Sequence, residues 1–347
     1  MRAGIRWVFA ILVLLITGVI TLFWSVSNYR SNVVVLASST VLIHEEIYKG
    51  VCRGAAQSRH RSRLGVVPYL FSHIDRVQIA GMCEAAIASR PDLIISVGAT
   101  STQILHELLQ KRQLAIPVVY VGVNDPVRIG LIESLERPGG SMTGVAEYFD
   151  PLASARLVLI VKPGVRDILI PYDSAGATVD MVIEAIVKIK NYFEPYAVQV
   201  RAMPLDSSVD VLAKFCSVIS EYDLVMGIEI DPLIHQFSAG LAKLCEQFNV
   251  TFFSTISSGV VLGAAITYAT SAERLGEQAI AQAEKIIFDG VSPAVMPVLA
   301  AQNARELFIN MKTAMRGGCA LNIEQIMRDI ASEPDLGSLE NKVNIIW

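Results

Sequence analysis

The chain has 347 residues, of which 52% are hydrophobic and 18% charged, with a formal net charge of -4 and a mean hydropathy of +0.47. That composition excludes an intrinsically disordered chain, which needs low hydrophobicity and high net charge. A sequence pI of about 5.8 excludes the basic surface of a non-specific nucleic-acid binder, and the length calls for more than one compact domain, each with its own core.

The first element is apolar. Residues 7–27 read WVFAILVLLITGVITLFWSVS without a charge, enough as a helix to cross the hydrocarbon core of a bilayer. Trp7 and Trp24 bracket the run about 26 Å apart, where an aromatic belt would sit. Arg2 and Arg6 precede it, so the positive-inside rule leaves the N-terminus in the cytoplasm and exports everything after Arg30. A cleaved signal peptide is the competing reading: Ser25-Val26-Ser27 offers small residues at cleavage spacing, although the apolar run is longer than usual. Residues 1–30 are therefore expected to be a membrane anchor or signal segment. The remainder is then anchored on the outer, periplasmic or extracellular face of the cytoplasmic membrane, or secreted.

From residue 33 onward, short Val/Ile-rich runs alternate with longer amphipathic ones. The runs are VVVLA (33–37), LGVVPYLF (64–71), DLIISVG (92–98), IPVVYVGV (116–123), DILIPY (167–172), AVQVRAM (197–203), DLVMGI (223–228) and VTFFS (250–254). They are continuously apolar, as expected of strands covered by helices on both faces. Helical patterns such as residues 101–112 and 179–192 separate them, which predicts parallel sheets with right-handed crossovers. A Gly/Pro-rich break, ERPGGSMTGV (136–145), interrupts the rhythm. A second irregular passage, STISSGVVLG (254–263), is followed by one long helix over 271–289. The expected fold class is α/β: two Rossmann-like lobes with parallel sheets, joined by a hinge of several crossings. Residues 31–146 and 268–298 would form lobe 1, 147–267 and 299–330 lobe 2, and 331–347 a C-terminal tail.

In open α/β sheets, ligands bind beyond the carboxyl ends of the strands, so a cleft between two such edges is the expected site. Ser38, Ser39 and Thr40 follow the first strand, and Ala99, Thr100, Ser101 and Thr102 follow the third. Small hydroxyls at a helix start suit an anionic group, yet the same residues make ordinary N-caps. Asn124-Asp125-Pro126 ends the fourth strand, where a turn is the competing role. Tyr172, Asp173, Glu229 and Asp231 lie at later strand ends; the acids could hold an ammonium and the tyrosine could stack on a flat ligand.

Enzyme signatures are missing. There is no G-x-S-x-G elbow, P-loop or G-x-G-x-x-G fingerprint. The five histidines (His44, His60, His73, His106 and His235) are dispersed and read as surface or helix-end residues. His44-Glu45-Glu46 is no joint site, because neighbouring side chains on a helix diverge. The five cysteines (Cys52, Cys83, Cys216, Cys245 and Cys319) form no C-x-x-C or Cys/His cluster, so structural zinc is not expected. They read as small buried hydrophobes, with a Cys52–Cys83 bridge as a minor alternative. No metal and no cofactor is expected.

Residues 124–145, NDPVRIGLIESLERPGGSMTGV, resemble a signature of bacterial ABC-transporter substrate-binding proteins. The pattern T-D-P-V-x-x-G-L-V-x-S-L-x-x-P-G-G-N-x-T-G-V matches at Asp125, Pro126, Val127, Gly130, Leu131, Ser134, Leu135, Pro138, Gly139, Gly140, Thr143, Gly144 and Val145. Pro91-Asp92-Leu93-Ile94, Gln103, Gly263 and the segment Asn310-Met311-Lys312-Thr313-Ala314 extend the similarity over most of the exported part. The resemblance implies a periplasmic-binding-protein type I-like fold that closes on a small molecule, possible amino-acid ligands (aromatic or other), and an ABC permease as partner. Several positions depart from it. Thr40 and Val41 stand where the family often has Glu-His, Ala99 where it has threonine, and Ile230 and Ile256 where it has aspartate. Asp125 alone holds among the acidic positions, which leaves an uncharged or less polar ligand open.

On these grounds the cleft is expected to be lined by Ser39, Thr40, Thr100, Ser101, Asp125, Tyr172, Asp173, Asp231 and Ser257. The leading reading is the extracytoplasmic binding component of an importer. A membrane-anchored sensory or interaction module with the same fold is the alternative, and an enzyme ranks last.

Overall fold

The structure is a computed structural model that describes residues 30–39, 41–72, 75–123, 125–146, 150–176, 178–205, 210–228, 231–255, 257–300, 305–319, 322–333, 336 and 343–346. The anchor or signal segment expected over residues 1–30 lies outside these, save Arg30. No helix among the described residues is long and apolar enough to cross a membrane.

The first half runs β1 (Ser31–Ser38), α1 (Leu42–Gln57), β2 (Leu64–Phe71), α2 (Arg76–Ala88), β3 (Leu93–Val97), α3 (Ala99–Lys111), β4 (Val118–Val123) and β5 (Met142–Ala146). The chain then builds α4 (Pro151–Val161), β6 (Asp167–Asp173), α5 (Val179–Phe193), β7 (Gln199–Leu205), α6 (Val211–Cys216), β8 (Leu224–Gly227), α7 (Pro232–Phe248), β9 (Thr251–Ser254) and β10 (Ile266–Thr270). It continues with α8 (Ala272–Phe288), β11 (Leu299–Ala300), β12 (Arg305–Asn310), α9 (Met311–Arg316), α10 (Ile323–Ser332) and β13 (Val343–Ile346).

These strands form two sheets, of six strands in the order β11-β5-β4-β3-β1-β2 and seven in the order β13-β12-β10-β9-β8-β6-β7. Each alternate residue of a central strand faces a different helix layer. Val33, Val35, Ile95 and Val97 pack with Ile47, Val51, Leu275 and Ile280 of α1 and α8. Val34, Leu36 and Ile94 pack on the other face with Ile79, Cys83, Leu105 and Leu109 of α2 and α3. The second sheet repeats this, with α4, α5 and α10 over one face and α6 and α7 over the other. Sandwiching both faces is why these strands read as unbroken apolar runs.

Several features differ from the sequence reading. The outer strands β2 and β7 are only half covered, with Val67 and Leu70 41% and 42% exposed. Edge position also explains why Pro68 and Pro204, which cannot donate to a ladder, are tolerated there. The pair β10–β12 is antiparallel among otherwise parallel strands. Residues 343–346 of the expected tail pair with β12 instead. All five cysteines are free, so Cys52 and Cys83 form no bridge.

Among the described residues, three crossings join the lobes: β5 to α4, β10 to α8, and β11 to β12. β10 pairs wholly within the second sheet and β11 within the first, so these crossings fall after Thr270 and Ala300 rather than at the expected 268 and 298. Buried Arg305 ties two crossings together, its Nη1 reaching Asp150 Oδ2 at 3.3 Å and Tyr268 Oη at 3.1 Å.

Candidate functional site

Every crossing leaves a parallel strand at its carboxyl end, so the carboxyl ends of both sheets face one another across the hinge. Lobe 1 brings two helix N-termini to this cleft, and neither α1 nor α3 takes a side-chain cap. The N-cap residues, Val41 and Gly98, have no polar side chain to offer, and no cap comes from Ser101 in the first turn of α3. Its buried hydroxyl donates backward to the carbonyls of Val97 at 2.6 Å and Gly98 at 3.0 Å, instead of accepting from the helix ahead. The N-terminal N–H groups of α3 are thus left to the cleft, at the positive end of the helix dipole. Gly98 sits between them at φ 90°, a conformation that favours glycine.

His44 occupies the first turn of α1. Its Nδ1 accepts the Ser38 N–H at 3.2 Å, which fixes the proton of the neutral ring on Nε2. Burial, reinforced by the neighbouring charge of His235, holds its pKa down to about 4. His235 lies in the first turn of α7 in the other lobe, and burial lowers its pKa as well. Both histidines are helix-end residues, as read from the sequence, and both are half-buried, close enough for the charge of His235 to be felt at His44. The lobes also meet where Arg128 Nη2 approaches Asp180 Oδ2 at 3.4 Å, and where α1 packs beside the turn of residues 257–259. In that turn the Ser258 hydroxyl is buried without a hydrogen-bond partner among the described residues.

The residues expected to line the cleft divide by what already holds them. Ser39 is exposed at the end of β1, its N–H and hydroxyl both on the Phe71 carbonyl. Thr100 is half-buried in the first turn of α3. Asp125 is half-buried, and its Oδ1 accepts the Arg128 N–H at 3.0 Å, closing the turn that the Asp-Pro pair suggested. Tyr172 is half-buried, packed in part against the core of the second lobe. Asp173 gives its N–H to Asp231 at 2.7 Å and accepts the Ala175 N–H at 3.0 Å. Thr40 lies outside the described residues, as does the side chain of Ser257.

Asp231 is not an open cleft acid. It is 1% exposed and also accepts the N–H groups of Leu233 and Ile234 at 3.0 and 3.3 Å. It caps α7 while bracing the end of β6. Desolvation raises its pKa, against the lowering effect of those three backbone donors. Asp231→Asn keeps an oxygen for the cap but turns an amide toward the Asp173 N–H. The expected cost is about 1 to 2 kcal/mol of stability, read from urea unfolding; an unchanged midpoint would remove Asp231 from its bracing role.

Sequence reasoning missed His44, His235 and the Arg128–Asp180 pair. A positional signal was available: both histidines sit in the first turn of a helix that directly follows a parallel strand, where side chains look into the cleft.

Two α/β lobes, three crossings and a polar cleft define a hinged small-molecule-binding protein. Residues 33–330 match the family of ABC transporter substrate binding proteins, and the chain belongs to that family. Its members are binding components, not enzymes. The "Tyrosine-binding protein" of Clostridioides difficile (strain R20291) is 23% identical over 247 residues, 70% of this chain and 66% of that protein, so the match spans just under two thirds of the relative. Among solved structures, the ABC domain in complex with L-Trp from Streptococcus pneumoniae has a TM-score of 0.70 at 20% identity, over 86% of this chain and 98% of that one. The ligand-free, open substrate binding protein with adhesive properties from Clostridium difficile has a TM-score of 0.67 at 17% identity, over 91% and 99%. At such identities these structures establish the shared fold.

Proposed function

We propose that the chain is the extracytoplasmic capture component of an ABC importer, held to the cytoplasmic membrane by residues 7–27, and that its cleft closes on an amino acid with an apolar or aromatic side chain. The observation that carries this reading is the pair of uncapped helix N-termini facing the second lobe. A carboxylate would sit on the N–H groups of α3 beside Thr100. The second carboxylate oxygens of Asp125 and Asp173, beyond the Oδ1 atoms already engaged, would take the ammonium, with Ser39 at the rim. Ser101 and Asp231 would hold the loops rather than touch ligand. Contacts made with both lobes favour the closed state, which is how capture becomes clamshell closure. The relative named for tyrosine and the structure holding L-Trp support this ligand class.

A thermal-shift screen of residues 31–347 against L-Trp, L-Tyr, L-Leu, nucleosides and small acids tests it. A ligand at 100 to 1,000 times its Kd stabilises by roughly 3 to 4 kcal/mol. Asp125→Ala is expected to weaken an amino-acid ligand by about ten- to a hundred-fold, the loss of one charge-assisted hydrogen bond. Response only to nucleosides or acids would overturn the ligand class. No response, with a protein partner retained instead, would favour the anchored sensory or interaction module over the importer.

A further inference from the structure

The edge of lobe 1 opposite the cleft is basic in a chain whose net charge is -4. It gathers the amino ends of the strands and the carboxyl ends of the helices. The chain enters there: Arg30 Nε donates to the Leu64 carbonyl at 2.9 Å, and the Ser31 N–H and hydroxyl both reach the Arg63 carbonyl at 2.8 Å. Asn32 ties the same corner to the next loop, its N–H on Asp92 at 2.7 Å and its amide on the Ser89 carbonyl at 3.3 Å. Arg30, Arg59, Arg61, Arg63 and Arg90 are all exposed around this corner. Arg59 has Asp289 at 3.4 Å, and the Arg63 guanidinium lies 4.9 Å from the Phe288 ring centroid. These cations are not explained by helix capping, because α1 and α2 carry no basic residue in their last turns.

We propose that this basic edge seats on the anionic phospholipid headgroups of the membrane in which residues 7–27 are anchored; the inference rests on that anchored reading. Only Asn28 and Tyr29 separate the apolar stretch from Arg30. Two residues reach no more than about 10 Å, roughly one Debye length at physiological salt. The five arginines are therefore delivered to the headgroup layer by the tether itself. An eight-residue strand such as β1 is about 26 Å long, so the seated edge holds the cleft about one strand length above the lipid.

The test uses the full chain in nanodiscs of phosphatidylcholine alone and of phosphatidylcholine with phosphatidylglycerol, followed by amide hydrogen exchange over residues 58–65. Exchange is expected to slow at least several-fold in the anionic disc. Half-molar NaCl or Arg61→Glu with Arg90→Glu should restore the neutral-disc rate, and Arg61→Lys with Arg90→Lys should keep the protection. Equal exchange in both discs overturns the seating while leaving the anchor intact. Protection in the neutral disc as well assigns the edge to an apolar or protein contact and overturns it too. A chain that enters neither disc overturns the anchored reading on which the inference stands.

Discussion

Gly276→Ala is expected to cost about 3 kcal/mol or more, whereas Gly81→Ala is expected to stabilise by up to about 1 kcal/mol. Both glycines lie inside helices, so the intrinsic preference for alanine is the same at each, close to 1 kcal/mol. Their surroundings decide the sign. At Gly81 in α2 an added Cβ meets nothing within 4 Å. At Gly276 in α8 it would run into the Ile47 carbonyl, with the Val51 nitrogen at 2.6 Å and the Gly50 carbonyl carbon at 2.9 Å. These are backbone atoms of α1 and cannot rotate away. Gly50 faces the reciprocal problem, since a Cβ there would strike the Glu273 carbonyl. Accommodating alanine means prising α1 from α8 and opening the core that Ile47, Val51, Leu275 and Ile280 share, the kind of overpacking that costs 1 to 3 kcal/mol or more. Because α8 begins two residues after the β10 crossing, that displacement also reaches the hinge, and ligand affinity should fall with stability. Urea midpoints for the two variants measure the contrast; a Gly276→Ala midpoint at or above wild type would show that the helices do not meet backbone to backbone.

Such a contact is invisible in the sequence, and the reason is general to this fold. The strand runs at 64–71, 92–98 and 167–172 were legible because strands covered on both faces must be apolar throughout. The same logic hid β10, β12 and β13. ITYAT (266–270) and RELFIN (305–310) mix polar residues that serve the crossings, such as Arg305 and Glu306, and β5 is embedded in the Gly/Pro break. The two-lobe arrangement followed from the break at 136–145 and the restart at Asp150, while the crossing points depended on strand pairing that no local pattern encodes. At the site, residue type misled where a side chain turned inward. Ser101 read as a cap or a ligand hydroxyl and Asp231 as a cleft acid; Ser101 instead donates back to the Val97 and Gly98 carbonyls, and buried Asp231 caps α7 and braces β6. His44 was discounted for its neighbours Glu45 and Glu46, although position relative to the preceding strand was the better guide.

That histidine should make stability fall steeply on acidification. His44 titrates at about 4 in the folded protein against an ordinary 6.5, so between those values the unfolded chain binds the extra proton and the native one does not. Stability is then fully present above pH 6.5 and declines as pH drops toward 4, by about 3 kcal/mol for this group alone. His235, lowered in the same direction, adds to the loss over the acid side of the same window. The chemistry is specific: an imidazolium has two donors and no acceptor, so protonation breaks the bond from the Ser38 N–H and places a cation opposite His235 across the cleft. His44→Asn sharpens the test, because its amide oxygen replaces Nδ1 as acceptor and cannot titrate. The loss of unfolding free energy between pH 7.5 and pH 4.5 should be about 2.5 kcal/mol larger in wild type than in His44→Asn. Ligand affinity of the wild type should weaken in parallel, since closing brings the two charges together. Curves that run parallel for the two proteins would show that His44 does not carry the acid sensitivity.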